Sequence, residues 1–124
     1  MNYEDQLQIA VAQYCDLKKW RWCHVANERN TSPRRGAMLK KKGVKRGVPD
    51  VLIFEDWKTP DDEFTAMGYG PIADGFGIAI ELKAPKRYPT PEQREWLADL
   101  KARGWLTGIV HTLDEFIALT ECIG

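Results

Sequence analysis

Two acidic residues and a lysine have the types and spacing of a hydrolytic site. The turn at 47–49, Gly-Val-Pro, is followed by Asp50, and Glu81 stands two residues before Lys83. Two carboxylates a few ångströms apart repel each other unless a cation lies between them. Oxygen ligands of this kind suit Mg²⁺ or Mn²⁺, and a lysine beside the metal can orient an attacking water. The set could therefore hydrolyse a phosphodiester bond.

The flanking sequence predicts that these residues lie on two neighbouring strands. Residues 50–54 and 76–82 are short apolar runs bounded by turn residues, as is typical of strands. Side chains alternate along a strand, so Gly77, Ala79, Glu81 and Lys83 share one face, and Phe76, Ile78, Ile80 and Leu82 fill the other. In the first strand, Asp50 shares a face with Leu52 and Phe54. If the strands pair, Asp50 and Glu81 stand side by side with Lys83 next to them.

The remaining elements follow from periodicity and capping signals. Apolar spacing predicts a helix over residues 3–18 and a strand over 20–25, and the polar residues 26–35 predict a loop. A short basic helix is expected at 35–42, a helix from Thr90 to Gly104, a strand at 105–110 and a final helix after Thr112. Thr90 with Gln93, and Thr112 with Glu115, have the pattern of a capping box.

This order predicts an α/β fold in which helices flank a small mixed sheet. The 124 residues are enough for one domain, 1–124, and too few for two ordinary ones. The acidic, Gly-rich residues 55–75 are too long for a tight hairpin turn. They are expected to be a mobile loop or an extension of the two flanking strands.

The charge of the chain is segregated although its sum is zero. Residues 55–63 hold five acids and one lysine, whereas 29–46 holds eight basic residues and no acid. Those eight are Arg29, Arg34, Arg35, Lys40, Lys41, Lys42, Lys45 and Arg46. A charge run is often only a solvated face, but this one leads directly into the Asp50 turn. We therefore interpret it as a surface for DNA phosphates, with Arg34, Arg35 and residues 40–42 as the best candidates.

Other residue types predict little chemistry of their own. The three cysteines form neither an even set nor a CxxC pair, and are expected to be small buried hydrophobes in a reducing compartment. His24 and His111 have no partner at an informative spacing, so structural roles are expected for both. With neither a targeting signal nor a run of about 18 apolar residues in view, we expect a cytoplasmic protein, in a bacterium or a phage-infected cell, with no membrane contact and no organic cofactor.

At this point the chain resembles the VRR-NUC family of the PD-(D/E)XK nuclease superfamily, in particular its short stand-alone phage and bacterial members. The matching blocks are residues 47–53 (GVPDVLI), 78–83 (IAIELK) and 90–97 (TPEQREWL), with Glu4 in the first helix and the segment from His24 to Glu28. The resemblance covers nearly the whole chain and implies a restriction-endonuclease-like αβββαβ core. Residues 55–75 are longer than expected in a minimal member.

The resemblance also implies roles for individual residues. Asp50 and Glu81 would be metal ligands, with the Leu82 carbonyl as a third, and Lys83 would lie at the attacking water. Glu4 would project towards the metal, directly or through water. Gln93 would contact the site or a substrate phosphate. By themselves, Glu4 is adequately explained as a solvated carboxylate at a helix start and Gln93 as a cap.

The expected function is a Mg²⁺- or Mn²⁺-dependent DNA endonuclease, and the resemblance implies a 5′-phosphate and a 3′-hydroxyl as its products. Stand-alone relatives resemble Holliday-junction resolvases, so selectivity for branched DNA and a homodimer are expected, with Trp57, Phe64 and Tyr69 as candidate interface residues. One alternative is a non-catalytic nucleic-acid-binding module that uses residues 29–46. Another is a protein-interaction module that docks through the acidic loop.

Overall fold

The structure is a computed structural model that describes residues 1–26, 32–58 and 74–124. Four helices and four strands lie in these ranges. In chain order they are α1 (Tyr3–Leu17), β1 (Trp22–His24), α2 (Pro33–Lys41), β2 (Val51–Lys58), β3 (Asp74–Leu82), α3 (Pro91–Ala102), β4 (Leu106–Val110) and α4 (Leu113–Thr120). The predicted element order is confirmed. Among the described residues, no helix combines the length and apolarity needed to cross a lipid bilayer.

The sheet is mixed, as predicted, and its strand order is β1-β2-β3-β4. β1 pairs antiparallel with β2, and β2 pairs antiparallel with β3. β4 pairs parallel with β3, because α3 carries the chain back to the starting end of the sheet before β4 begins. β3 is thus a central strand with a hydrogen-bonded neighbour on each side.

The main hydrophobic core lies between one face of the sheet and the helices α1 and α4. Val51, Ile53, Ile78, Ile80 and Leu82 point from β2 and β3 into this core. Leu7, Val11 and Cys15 meet them from α1, and Phe116 meets them from α4. These α1 positions recur every four residues, so they form one stripe along the helix. Burial of this stripe fixes α1 against the sheet.

α3 lies on the opposite face of the sheet. Glu81 alternates with the core residues Ile80 and Leu82 and so points away from α1. Gln93 of α3 is hydrogen-bonded to Glu81, and Leu97, one turn further along, is also buried. The fold therefore has three layers, with α1 and α4 on one side of the sheet and α3 on the other. Each face of β3 is covered by helices.

The hairpin of β2 and β3 is longer than predicted. Residues 55–58 and 74–75 extend the two strands, and the pairing shifts by one residue between Ile53 and Asp56, which marks a β-bulge. Residues 59–73, with Phe64 and Tyr69, lie outside the described residues. The extension hypothesis for 55–75 is thus confirmed at both of its ends.

Two aromatic residues of this hairpin correct the sequence-based predictions. Trp57, a candidate interface residue in the sequence, is only 8% exposed in β2, and its indole N–H donates to the Gly77 carbonyl over 3.1 Å. Phe76, expected to fill the core face, is 52% exposed and lies edge-on to Trp105. The bulge in β2 and a φ of +91° at Gly77 interrupt the simple alternation. Trp57 therefore takes the core position that was predicted for Phe76.

The capping predictions hold in most details. Thr90 and Gln93 form a complete capping box at the start of α3. Thr112 accepts from the N–H of Glu115, but the Glu115 carboxylate accepts from His111 rather than Thr112, so the second box is only half formed. α2 begins at Pro33, with Ser32 as its N-cap, so the prediction of a loop up to residue 35 was wrong for its last part.

The cysteines do not all behave as predicted. Cys15 is buried in the core, and this burial raises the pKa of its thiol to about 12. Cys122 is half-buried, and burial also raises its pKa. Cys23, by contrast, is exposed on the short edge strand β1, so the prediction of a buried residue was wrong there. All three are free thiols.

Candidate active site

The pairing of β2 with β3 brings the two candidate acids together. Val51 lies opposite Ile80 in the antiparallel register, so the next position outward sets Asp50 opposite Glu81. Directly opposed side chains on an antiparallel pair point to the same face, with Cβ atoms about 4.5–5.5 Å apart. The Leu82 N–H donates to Asp50 Oδ2 over 2.8 Å. This bond holds the carboxylate of Asp50 against the end of β3.

Glu81 is a buried carboxylate held by the start of α3. Its side chain is 0% exposed, and Gln93 Nε2 donates to its Oε1 over 3.0 Å. The other end of the Gln93 amide accepts from the Thr90 N–H over 2.8 Å, as part of the capping box. Gln93 therefore caps α3 and orients Glu81 at the same time. The sequence had offered these two roles as separate explanations.

Lys83 follows Glu81 by two residues and lies on the same face of the strand. It is 6% exposed, and its backbone N–H donates to the Val110 carbonyl over 3.0 Å. That bond continues the β3–β4 ladder past the end of β3. A lysine is seldom buried to this extent unless carboxylates are close to its amine. Glu81 supplies a carboxylate on the same face.

Glu4 approaches the same end of the sheet from α1. Its Oε1 accepts from the Ala84 N–H over 3.3 Å, so it lies next to the residue that follows Lys83. Asn2 caps α1 by accepting from the Asp5 N–H, and the Tyr3 hydroxyl donates to the His111 carbonyl beyond β4. These contacts fix the first turn of α1 over the end of the sheet. A carboxylate there is also stabilised by the positive end of the helix dipole.

A cleft of about 240 Å³ opens between α1 and the ends of the strands. Its polar lining residues are Asn2, Glu4, Asp5, Gln8, His24 and Asp50, and Leu82 completes the wall. His24 Nδ1 lies 3.0 Å from the Asp50 carbonyl oxygen. His111 lies elsewhere, next to Glu115 at the end of β4. Of the two histidines, only His24 lines this cleft.

Sequence reasoning missed two residues that build the site. Gln8 lines the cleft one helical turn after Glu4, and the four-residue spacing between them was the available signal. At Gly47, φ is +84°, and a Cβ atom would come within 2.7 Å of the Glu92 backbone. Only glycine allows the turn before Asp50 to lie this close to the start of α3. The sequence marked Gly47 as a turn residue but gave no indication of its neighbour.

The basic segment, residues 32–46 in the structure, does not contribute to the lining of the cleft. No residue of α2 is buried, and the basic residues of the described part are all exposed: Arg34, Arg35, Lys40, Lys41, Lys42, Lys45 and Arg46. The helix ends before Gly43, whose φ of +95° is typical of a glycine that follows a helix. Arg29 lies outside the described residues. The segment joins the site through Gly47 and the buried Pro49.

The residues at this end of the sheet fit a hard divalent cation in their chemistry. In the described ranges, no group of three or more His, Cys, Asp or Glu side chains is arranged to enclose a metal ion. Asp50, Glu81 and the Leu82 carbonyl would instead offer two carboxylates and one backbone oxygen. Mg²⁺ is commonly held by one or two carboxylates, with waters and substrate phosphates filling the other positions. A cation held by these groups would therefore need waters or substrate phosphates to complete its coordination.

Comparison with known families decides the relationship. The VRR-NUC domain model matches residues 2–112. The chain belongs to the VRR-NUC family. The matched range contains Glu4, Asp50, Glu81, Lys83 and Gln93, whereas α4 lies beyond it. A nuclease-type domain follows from this membership.

A solved structure supports the same fold. It is described as a VRR_NUC domain protein and superposes with a TM-score of 0.68 at 22% sequence identity, covering 98% of this chain and 87% of the other. At this identity the likeness shows the fold, which is the predicted mixed sheet with flanking helices. The comparison with curated proteins finds no match.

Proposed function

We propose that this VRR-NUC domain is a divalent-metal-dependent endonuclease that hydrolyses DNA phosphodiester bonds. The observation that supports the proposal is the register of β2 and β3: Val51 lies opposite Ile80, so the next residues outward are Asp50 and Glu81, and Lys83 follows on the same face as Glu81. A non-catalytic fold has no need for two opposed carboxylates at this position. Burying Glu81 and Lys83 costs folding free energy. A role in phosphodiester hydrolysis would explain why both residues are buried despite this cost.

Each residue has a distinct part in the proposed reaction. Asp50, Glu81 and the Leu82 carbonyl would hold Mg²⁺ or Mn²⁺, which when bound would polarise the phosphoryl oxygens and favour ionisation of a water. Lys83 orients the attacking water and lowers the cost of hydroxide beside it. Glu4 takes part directly or through water. Gln93 keeps Glu81 in place by the hydrogen bond described above.

The proposed chemistry is an in-line displacement at phosphorus. The oxygen of water forms a bond to phosphorus while the bond from phosphorus to the 3′-oxygen breaks. One water proton leaves to solvent or a neighbouring base, and the 3′-oxygen gains a proton. The products are a 5′-phosphate and a 3′-hydroxyl. Rigid placement of the charged groups is the main source of rate enhancement in such a site.

The basic segment supplies affinity for DNA in this proposal. Exposed Lys and Arg side chains can reach phosphates. Phosphate contacts position a protein on DNA without reading the base sequence. We therefore propose selectivity for DNA shape, with branched or Holliday-junction-like DNA preferred over a particular base sequence. Each neutralised phosphate steepens the log–log dependence of affinity on salt by about 0.9. Binding is accordingly expected to weaken steeply as salt is raised.

A homodimer with two active sites is part of the proposal, because cutting a four-way junction requires two incisions. Trp57 is buried and so is not available for the interface. Phe54 and Phe76, which are 36% and 52% exposed and both contact Trp105, form an alternative apolar surface. Mass measurement in solution would test the dimer. We also propose a cytoplasmic location, consistent with three free thiols.

The decisive test compares wild type with Lys83→Ala on linear, nicked, flapped and four-way DNA. Reactions contain Mg²⁺, Mn²⁺ or a chelator. Metal-dependent cleavage by wild type and loss of cleavage in Lys83→Ala are expected, with the four-way or flapped substrate cut fastest. Equal cleavage by both proteins would overturn the assigned site. Cleavage that persists with chelator would overturn the metal requirement.

The same experiment separates a second candidate, a non-catalytic DNA-binding module. The exposed charges of α2 favour it, since they would bind phosphates whether or not the acids are functional. This module would bind DNA with chelator present, leave every substrate intact, and be unaffected by Lys83→Ala. Metal-dependent cleavage by wild type would exclude it.

A further inference from the structure

Gln8 places an amide in the cleft that the proposed reaction does not yet use. It lies on α1 one turn after Glu4, and residues four apart share a helix face. Both residues line the same cleft as Asp50. The Gln8 side chain is partly buried, and the residue belongs to the wall of the cleft on the α1 side.

The state of this amide is unusual. Nε2 of Gln8 is buried and has no hydrogen-bond partner within the described part of the chain. Most buried polar atoms of folded proteins have a partner, because a buried N–H without an acceptor lowers stability. Unlike Gln8, the neighbouring donors are engaged: the Leu82 N–H binds Asp50, and the Ala84 N–H binds Glu4. A bound molecule could supply the missing acceptor.

The charge of the cleft indicates what that molecule is. Carboxylates of Glu4, Asp5 and Asp50 surround the cleft, and they would repel an anion unless a cation lies among them. With the cation bound, a phosphate group enters, and its non-bridging oxygens are strong acceptors. A neutral amide can donate to such an oxygen without adding a charge that would compete with the metal. Hydrogen bonds to charged acceptors are stronger than neutral ones.

We propose that Gln8 Nε2 donates a hydrogen bond to a non-bridging oxygen of the scissile phosphate, which makes Gln8 a further substrate-binding residue. This inference rests on the proposed nuclease function and adds the residue that orients the phosphate from the α1 side. The unsatisfied donor in the free protein is then a preformed contact. Binding of DNA restores the hydrogen bond that folding leaves unmade.

The test uses Gln8→Met and Gln8→Glu. Methionine has nearly the same length and helix propensity but no donor, whereas glutamate keeps the shape and replaces the donor by another carboxylate. Gln13→Met, at an exposed position of the same helix, is the matched control. For each protein, three quantities are measured: the midpoint of thermal unfolding, the affinity for four-way DNA in Ca²⁺, and kcat/KM in Mn²⁺.

The expected result separates binding from stability. Gln8→Met unfolds at the same or a higher temperature than wild type, because an unpaired buried donor has been removed. Its kcat/KM falls by about 10-fold or more, the usual effect of losing a hydrogen bond to a charged group, and its DNA affinity in Ca²⁺ falls too. Gln8→Glu loses more kcat/KM and more DNA affinity than Gln8→Met does. Gln13→Met changes none of the three quantities.

Two outcomes would overturn the inference. One is wild-type DNA affinity and kcat/KM in Gln8→Met, which would leave the nuclease proposal intact. The other is an affinity for Mn²⁺ that falls while DNA affinity does not, which would assign Gln8 to a metal-bound water instead. Failure of wild type to cleave any substrate would overturn the nuclease proposal, and with it the assignment of Gln8 to the scissile phosphate.

Discussion

The end of the sheet with the proposed active site and the basic segment differ in how their charged side chains are exposed. At the end of the sheet, Glu81 and Lys83 are 0% and 6% exposed, and a hydrogen bond from Gln93 holds the Glu81 carboxylate. In the basic segment the charged side chains are exposed and no residue of α2 is buried. One region holds a few charges in fixed places. The other presents many charges on an exposed surface.

This difference matches what the two regions are proposed to do. Stabilising charge in a transition state requires groups held within fractions of an ångström, and a buried central strand provides that rigidity. Attracting a phosphate backbone requires positive charge density but no single geometry. A change at the end of the sheet should therefore alter the reaction, and a change in the basic segment should alter only binding.

The largest effect is expected for Asp50→Asn. The amide oxygen can still accept from the Leu82 N–H, so the fold is kept, but the negative charge that would hold the metal is lost. Cleavage should fall by about 10³-fold, as when a main electrostatic group of an active site is removed. DNA affinity with chelator present should stay the same or rise slightly. Cleavage within tenfold of wild type would contradict the assignment of Asp50.

The reverse pattern is expected when Lys40, Lys41 and Lys42 are all changed to alanine. Three lost phosphate contacts should lower the log–log salt slope of binding by about 2.7, while kcat at saturating DNA stays near wild type. Alanine at Lys18, Lys101 and Arg103 removes the same charge elsewhere and is the matched control. A large fall in kcat in the first variant would mean that the basic segment also shapes the catalytic site.

Gly47→Ala tests the joint between the two regions. A methyl group at Gly47 would meet the Glu92 backbone at 2.7 Å in a backbone conformation that side chains rarely adopt. We expect the free energy of unfolding to fall by about 1–3 kcal/mol and activity to fall with it. Gly43→Ala is the control, since Gly43 also has positive φ but open space around it.

Equal effects of the two glycine variants on thermal unfolding would show that contact with α3 is unimportant. A smaller effect of Gly43→Ala is expected because Gly43 follows a helix that buries no residue. In that variant the strain is confined to the exposed segment and is relieved by local rearrangement.

The smallest effects compare two equivalent helix caps. Thr90 caps α3, which orients Glu81, and Ser32 caps the exposed α2. Loss of either cap costs about 1 kcal/mol of helix stability. Thr90→Ala should lower both the unfolding temperature and cleavage, whereas Ser32→Ala should leave both unchanged and weaken DNA binding slightly. If Ser32→Ala lowers the unfolding temperature as much as Thr90→Ala, α2 must be part of the cooperative fold.

Much of the fold was predictable from local signals. The period of two in residues 76–82 put Glu81 and Lys83 on one face, and the spacing of apolar residues defined α1. Thr90 and Gln93 marked the start of α3 through their side-chain chemistry. These features depend on neighbours in sequence, so they can be read without knowing what lies across the molecule.

Other features depend on contacts between distant segments. The β-bulge at Ile53–Asp56 decided that Trp57 enters the core and that Phe76 faces outward, although alternation alone predicted the reverse for Phe76. The cleft needs α1 laid over the strand ends, which is why Gln8 escaped notice. The local sequence explained Gln93 as a helix cap. Its second role, the hydrogen bond to Glu81, could not be read locally because Glu81 lies 12 residues away in sequence and on another element.

The sequence by itself determined the element order, the three residues with the types needed for hydrolysis, and the charge of the segment before them. Periodicity, capping and composition are local properties of the chain. The tertiary structure alone decided the pairing register that sets Asp50 opposite Glu81 and the close approach of Gly47 to α3. Both arise from packing between segments far apart in sequence, where geometry depends on every intervening turn and bulge.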